Sequence, residues 1–258
     1  MDYRPVFLVV GILLSMLAAG MVVPAIVDAV AGNAGWQVFI VSAGVTLFVG
    51  VSMALTSRTT TGRLSVRQAF LMVTLSWVAL TVFASLPFAF SSLDMSFTDA
   101  FFEAMSGITT TGSTVITNLD YAPPGILMWR ALLQWLGGIG IIVMAIAIFP
   151  LLGVGGMQLF RMESSDPSEK VLPRAAQIAG AIGLIYLALT IIWALAYFGA
   201  GMNGFDAVAH SMTTIATGGF STSDASLGHY DSALIDIIAV GGMIIGSLPF
   251  ILYLKTVR

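Results

Sequence analysis

Of 258 residues, 58% are apolar and only 9% are charged, and the mean hydropathy is +0.98. Soluble domains carry about a quarter charged residues, so this composition excludes a water-soluble fold and demands an integral membrane protein in contact with lipid. The absence of cysteine excludes disulfides, thiolate catalysis and Cys-ligated metals, and a net charge of −3 without a basic stripe offers nothing to nucleic acid.

Six long apolar segments predict membrane spans over 6–27, 36–55, 70–90, 126–152, 176–198 and 233–254. Each supplies about the 20 residues that a helical crossing needs. The first could be mistaken for a secretion signal, but signal h-regions run to only about 7–15 residues. Its apolar run is longer and Asp2 interrupts the basic flank, so it is read as a retained span. Two shorter apolar stretches, 98–108 and 205–215, cannot cross a hydrocarbon core about 30 Å thick. The polar residues after each would be unsatisfied in lipid, so both are read as re-entrant helices lining a water- or ion-filled cavity.

The basic residues give the orientation. With the N-terminus cytoplasmic, Arg4, Arg58, Arg63, Arg67, Arg161, Lys170, Arg174, Lys255 and Arg258 all fall on the inner side. Only Arg130 lies on the outer half, beside the acidic Asp28, Asp94, Asp99, Glu103, Asp120, Asp206, Asp224 and Asp231. This bias survives only if both short helices enter and leave from the outer face.

An internal repeat organises the chain. Asp99, Ala100, Met105, Ile108 and Gly112 recur 107 positions later as Asp206, Ala207, Met212, Ile215 and Gly219. Ser96 before Asp99, and Asn203 before Asp206, have the spacing of an N-cap residue and its N3 acid. The expected fold is therefore an all-α integral membrane protein: a two-helix extension (1–62), a first membrane–pore-loop–membrane repeat (63–155), a cytoplasmic linker (156–173) and a second repeat (174–258). The linker is read as a solvated connector, with a docking surface as the alternative.

Each short helix runs into a loop of glycine and hydroxyl residues: Thr109-Thr110-Thr111-Gly112-Ser113 and Ala216-Thr217-Gly218-Gly219-Phe220. Bare backbone carbonyls can replace the hydration shell of a monovalent cation. Aiming successive carbonyls at one axis forces some residues to positive φ, which glycine tolerates. The helix C-terminus, partially negative, would face the cation, and Asp120 and Asp224 at the outer mouth would concentrate it. The competing reading is that such runs only allow close helix packing.

Ile108-Thr109-Thr110-Thr111-Gly112-Ser113-Thr114, Trp135-Leu136-Gly137-Gly138-Ile139-Gly140 and Ala216-Thr217-Gly218-Gly219-Phe220-Ser221-Thr222 resemble the TrkH/KtrB family of potassium-uptake proteins. The resemblance covers essentially the whole chain and implies four membrane–pore-loop–membrane repeats around one potassium-channel-like pore. Two leading spans point to the TrkH side. It implies filter positions at Thr110, Thr111, Gly112, Ser113, Thr217, Gly218, Gly219 and Phe220, supported by Glu103, Arg130 and His210. Glycine at positions 112 and 219 implies that potassium is conducted. Potassium is then the transported ion, with no organic cofactor. Also implied are a bacterial inner-membrane location, a homodimer and a cytosolic nucleotide-binding regulatory subunit of the TrkA type. Only two of the four loops are here, so the chain is expected to be the N-terminal half of a longer protein, or to need a second copy.

Other candidates have plainer readings. Arg130 either braces the loops through Glu103 or snorkels at the interface. His210 occupies the position matching Glu103 and lacks a second ligand at metal-binding spacing, so a packed polar side chain is expected. Gly137, Gly138 and Gly140 are expected to admit close helix contact. Two alternatives to a pore remain: a non-conducting accessory subunit, and an intramembrane hydrolase pairing Ser106, Ser113 or Ser211 with His210 or His229. The sequence has no Gly-x-Ser-x-Gly elbow to support the hydrolase.

Overall fold

Prolines decide where the first helices break. The structure is a computed structural model that describes residues 3–58, 65–152, 171–250 and 252–253, and every regular element among them is helical. Helix α1 (Arg4–Gly20) gives way at Met21 to α2 (Val22–Val30). Pro24 has no N–H to donate to the Gly20 carbonyl, so the helical ladder cannot run through. The same happens after α3 (Trp36–Thr56). Helix α4 (Val66–Ala84) stops at Ser85 and α5 (Leu86–Ala89) resumes, because Pro87 cannot donate to Phe83. Helix α4 begins at a capping box in which Ser65 and Gln68 each take the other's backbone N–H.

Among the described residues seven further helical elements follow, five of them α-helices. They include the short α6 (Phe97–Ile108), a 3-10 turn at Leu119–Tyr121, the long α7 (Pro124–Leu152), α8 (Val171–Gly199), the short α9 (Gly204–Ile215) and α10 (Ala233–Ser247). A second 3-10 turn, Ser226–Tyr230, lies between α9 and α10.

Four described segments are long and apolar enough to cross a bilayer: Arg4–Val30, Trp36–Thr56, Val66–Ala89 and Gln177–Gly199. Helix α7 is continuous over 29 residues. Helix α8 (Val171–Gly199) holds the apolar segment Gln177–Gly199, in line with the expected span 176–198. The expected span 233–254 is interrupted. Leu248 precedes Pro249 and is driven extended (φ −69°, ψ 143°), ending α10 after 15 residues. Of the expected linker 156–173, only residues 171–173 are among those described; Arg63, Arg161, Lys170, Lys255 and Arg258 also lie outside them.

The core gathers on α7. Leu14, Leu17 and Met21 from the first segment, Phe39 from α3 and Phe88 from α5 pack with Trp129 and Leu133 of α7 and Ala104 of α6. The Trp129 indole donates to the Ala84 carbonyl at 3.0 Å, so its one polar atom is satisfied. A second cluster joins Ile182 and Tyr186 of α8 to Ile215 and Ala216 at the end of α9. Helix α7 thus lies against α2, α6 and α9. That places one rigid helix between the two short ones.

Close backbone approach recurs at equivalent places. A Cβ at Gly137 would collide with the Ile108 carbonyl at the end of α6, and one at Gly246 would sit 2.6 Å from the Ile215 carbonyl at the end of α9. Gly138 approaches Ala216 and the Tyr186 hydroxyl in the same way, whereas among the described residues nothing lies within 4 Å of a Cβ at Gly140. Helices α1 and α3 cross at Gly11 and Gly50, where a Cβ on Gly11 would stand 2.6 Å from the Gly50 carbonyl. Gly11→Ala should therefore cost about 1–3 kcal/mol through overpacking. Thermal unfolding in detergent checks it: a lower Tm for Gly11→Ala, and none for Gly44→Ala, whose Cβ meets nothing within 4 Å.

Candidate functional site

Helices α6 and α9 are both 12 residues long, about 18 Å, too short to cross a bilayer. Each carries the N-cap expected of it: Ser96 Oγ accepts from Asp99 N at 3.1 Å, and Asn203 Oδ1 accepts from Asp206 N at 2.9 Å. Their C-terminal ends are built alike as well. Thr110 N donates to Gly107 O (3.0 Å) and Thr111 N to Ser106 O (2.9 Å). At the same 107-residue offset, Thr217 N donates to Thr214 O (3.0 Å) and Gly218 N to Thr213 O (2.8 Å). Each pair forms a Schellman closure, with Thr110 or Thr217 at the left-handed C′ position.

The backbone then alternates. Thr110 (φ 56°) and Gly112 (φ 82°) are left-handed with Thr111 between them, and Thr217 (φ 51°) and Gly219 (φ 85°) repeat this around Gly218. Alternation of hand turns neighbouring peptide planes the same way, gathering N–H groups on one side and carbonyls on the other. The N–H groups of Thr110, Thr111, Thr217 and Gly218 are committed to the helix ends. A β-branched residue in the left-handed region is an outlier costing about 1–2 kcal/mol, and here it occurs twice at matched positions.

The two loops meet. A Cβ on Gly112 would collide with the Gly218 carbonyl and lie 3.7 Å from Gly219 Cα, so only glycine fits at 112. Thr111 and Ser113 are exposed, Gly112 and Thr110 are partly buried, Gly218 and Phe220 are buried, and Thr217 and Gly219 are exposed. The eight expected loop positions are thus brought together in two adjoining segments.

Helix α7 clamps this junction. Arg130 and Glu103 form a salt bridge at 2.8 Å with side chains 2% and 0% exposed. Glu103 also accepts from Thr114 Oγ1 (2.9 and 3.0 Å) and Val115 N (3.0 Å), which fixes the chain just beyond the first loop. The Arg130 Nη1 donates to the Ser221 carbonyl at 2.7 Å, and its guanidinium stacks 4.1 Å from the Phe220 ring centroid. One cation therefore holds both loops. Of the two readings of Arg130, bracing is the one the geometry contains.

His210 takes the place of Glu103 in the second copy. Its Nε2 meets Ser221 Oγ at 2.9 Å, 11 residues on, the same separation as Glu103 to Thr114. Its Nδ1 faces the Asp206 carbonyl at 2.9 Å, so a main-chain oxygen, not a carboxylate, orients the ring. Ser211 Oγ donates to Val208 O, His210 meets Ser221, and His229 Nδ1 lies 3.3 Å from Ser223 Oγ. Among the described residues no three His, Cys, Asp or Glu side chains gather to hold a metal.

Asp206 sits at the start of α9 and accepts from Thr222 Oγ1 (2.6 Å), Asn203 Nδ2 (2.6 Å) and Tyr230 OH (2.7 Å). Burial acts to raise its pKa, but these hydrogen bonds and nearby His210 outweigh it and hold the carboxylate below its ordinary value. The network ties the turn Ser226–Tyr230 to the helix. Asp120 and Asp224 are exposed.

Gln134 was not anticipated from the sequence. One helical turn after Arg130, its Nε2 donates to the Gly218 carbonyl (2.7 Å) and its Oε1 accepts from Phe220 N (3.0 Å). The i, i+4 spacing of Arg130 and Gln134 on one face of an otherwise apolar helix was the available signal. The Gly218 carbonyl, expected to be bare, thus carries a side-chain hydrogen bond.

An all-helical membrane protein with two capped half-length helices ending in facing glycine loops is the class this geometry defines. The chain belongs to the TrkH cation transport protein family, whose family model matches residues 36–257. It is 45% identical over 256 residues to the Trk system potassium uptake protein TrkH of Halomonas elongata, across 98% of this chain and 53% of that protein. The TrkH of Escherichia coli K12 is 45% identical over 250 residues, 95% of this chain and 52% of the relative. The crystal structure of the potassium transporter TrkH from Vibrio parahaemolyticus superposes with a TM-score of 0.88 at 42% identity, over 98% of this chain and 51% of that one. The chain spans about half the length of the curated relatives it matches.

Removing Arg130 alone should leave the Glu103 carboxylate buried without a countercharge, a loss of about 3–5 kcal/mol. Arg130→Met is expected to lower the Tm in detergent sharply, and Arg130→Met with Glu103→Gln to recover much of the loss. A double-mutant cycle on unfolding reads the difference.

Proposed function

We propose that this chain supplies two of the four loops of a potassium-conducting pathway, and so takes part in potassium uptake across a bacterial inner membrane. One observation carries the reading: the left-handed, alternating backbone at Thr110 and Gly112 and again at Thr217 and Gly219. It commits the N–H groups of Thr110, Thr111, Thr217 and Gly218 to the helix ends and leaves the opposite face of each loop to its carbonyls. Oxygens of Thr110, Thr111, Gly112, Thr217 and Gly219 would then replace water around a dehydrated potassium ion. The Gly218 oxygen would contribute while also held by Gln134, which fixes its direction. Ser113 and Phe220 form the outer edge of the two loops, and Glu103, Arg130 and His210 are the supports behind them.

The loops need rigidity because selectivity depends on the number and placement of oxygens. The Arg130 salt bridge and the Gln134 clamp provide it from a helix that is itself packed on both sides. The C-termini of α6 and α9 point their partial negative charge at the loops, which favours a cation there. An inside-negative potential adds about 2.3 kcal/mol per charge per 100 mV to inward movement.

The rest of the reading follows from the repeat. Segments 1–62, 63–155, 156–173 and 174–258 are assigned as extension, first repeat, cytoplasmic linker and second repeat, with the N-terminus cytoplasmic. Two further loops come from more of the same polypeptide or a second copy. A homodimer and a cytosolic nucleotide-binding subunit of the TrkA type are the proposed partners, with lipid against exposed side chains such as Phe48 and Leu195.

The test is growth of a potassium-uptake-deficient strain on limiting potassium, with the intact gene that contains this chain. Gly112→Ala should abolish rescue, because its Cβ meets the Gly218 carbonyl and its φ is 82°. Gly219→Ala, with open space but φ 85°, should weaken it less. Normal rescue by both variants, at normal membrane levels, would remove the filter from this site.

A further inference from the structure

Helix α7 starts without a cap of its own. The Pro123 carbonyl accepts from Ile126 N and Leu127 N, which makes Pro123 the N-cap, yet proline has no side-chain acceptor. Pro124 has no N–H, so the first free donor of the helix is Gly125 N. The acceptor arrives from 97 residues upstream: Asp28 Oδ1 takes the Gly125 N–H at 2.7 Å.

Asp28 lies near the end of α2, in the two-helix extension, and is fully buried. Two glycines make room for it. A Cβ at Gly125 would collide with the carboxyl group, and a Cβ at Gly35 would stand 2.5 Å from Oδ2. Oδ2 has no hydrogen-bond partner, and the carboxyl group lines a cleft with Val38, Pro87, Ser91 and Ile126. Among the described residues the ion pair recorded is Arg130 with Glu103, and none recorded there involves Asp28. The positive end of α7 is what faces it. A bare, buried oxygen carries a desolvation cost, and a serine within α7 itself would have capped the helix more cheaply.

What distinguishes the actual arrangement is where it anchors α7. Arg130 and Gln134 lie five and nine residues beyond Gly125, about 7.5 and 13.5 Å along the axis. The height of that axis sets where the guanidinium meets the Ser221 carbonyl and where the amide meets Gly218 and Phe220. Helix α2 packs directly along α7, so the extension has the contact surface to hold it.

We infer that Asp28 is a positioning residue: by capping α7 from the N-terminal extension, it sets the register at which Arg130 and Gln134 hold the second loop against the first. The inference rests on the proposed filter reading. It gives the two-helix extension, which lies outside the repeat, a part in ion selection.

The experiment measures potassium-over-sodium uptake in cells or proteoliposomes carrying the intact transporter. Asp28→Ala should lower that ratio about tenfold, as loss of a supporting hydrogen bond does around an ion site. Asp28→Asn, which keeps an acceptor for Gly125 N, should restore most of it. If Asp28→Ala fails to reach the membrane, Gly125→Ala displaces the carboxylate without deleting it and should lower the ratio too. A wild-type ratio in the variant that is read, or a fall in total uptake at unchanged ratio, overturns the inference. Gly219→Ala, expected to weaken uptake without abolishing it, is the control. If it also keeps the wild-type ratio, the loops do not select and both readings fall. If it loses the ratio while Asp28→Ala keeps it, only the role of Asp28 falls.

Discussion

A single buried guanidinium holds the centre of this molecule together. Arg130 neutralises Glu103 behind the first loop, donates to the backbone of the second at Ser221 and covers the ring of Phe220. Neither loop has a ladder of backbone hydrogen bonds to a neighbour, so side chains must fix their shape. A charged pair removed from water is tolerable only when its remaining hydrogen-bonding capacity is filled. Thr114, Val115 and Ser221 fill it here. The carboxylate and the cation come from different helices, α6 and α7, and the cation reaches the chain beyond the second loop. That makes the pair a fastener between the two loops.

Strain is the second feature. Threonine is a poor choice for a left-handed C′ position, where glycine would sit without penalty. Both repeats nevertheless place threonine there, at Thr110 and Thr217. Such strain persists where surrounding contacts over-determine the backbone. The Schellman bonds, the α7 clamp and the close approach of Gly137 and Gly246 to the helix ends supply that constraint. In the proposed pathway, a hydroxyl side chain at this point keeps the loop polar on the face the carbonyls occupy.

The two copies share a backbone and differ in charge. Glu103 and His210 stand at matched positions and each reaches 11 residues forward to a hydroxyl, but only the first faces a cation. The second loop instead receives its support from Gln134, and its helix start is tied to the 3-10 turn Ser226–Tyr230 through Asp206, Thr222 and Tyr230. One helix, α7, can serve both because it lies between them. Its own N-terminus is held by Asp28, so the chain of support runs from the extension through α7 to the loops.

Much of this was legible in the sequence. Hydropathy and length separate the long spans from the two short helices, because a bilayer sets a minimum length that local sequence either meets or does not. The 107-residue repeat, the caps at Ser96 and Asn203 and the glycines at 112 and 219 are local patterns with local causes. Breaks at Met21, Ser85 and Leu248 were also implicit in Pro24, Pro87 and Pro249, though hydropathy alone ran the spans through them. Other facts needed the tertiary structure. That Gly112 abuts Gly218, that Gln134 grips the second loop and that Asp28 caps a helix 97 residues away are contacts between distant segments. Nothing in a single helix encodes its partner, because burial makes a lone polar residue costly without saying which group will satisfy it. The sequence by itself determined a membrane protein with two matched, capped half-helices. Only the packing around α7 decided which polar side chains hold their loops in place.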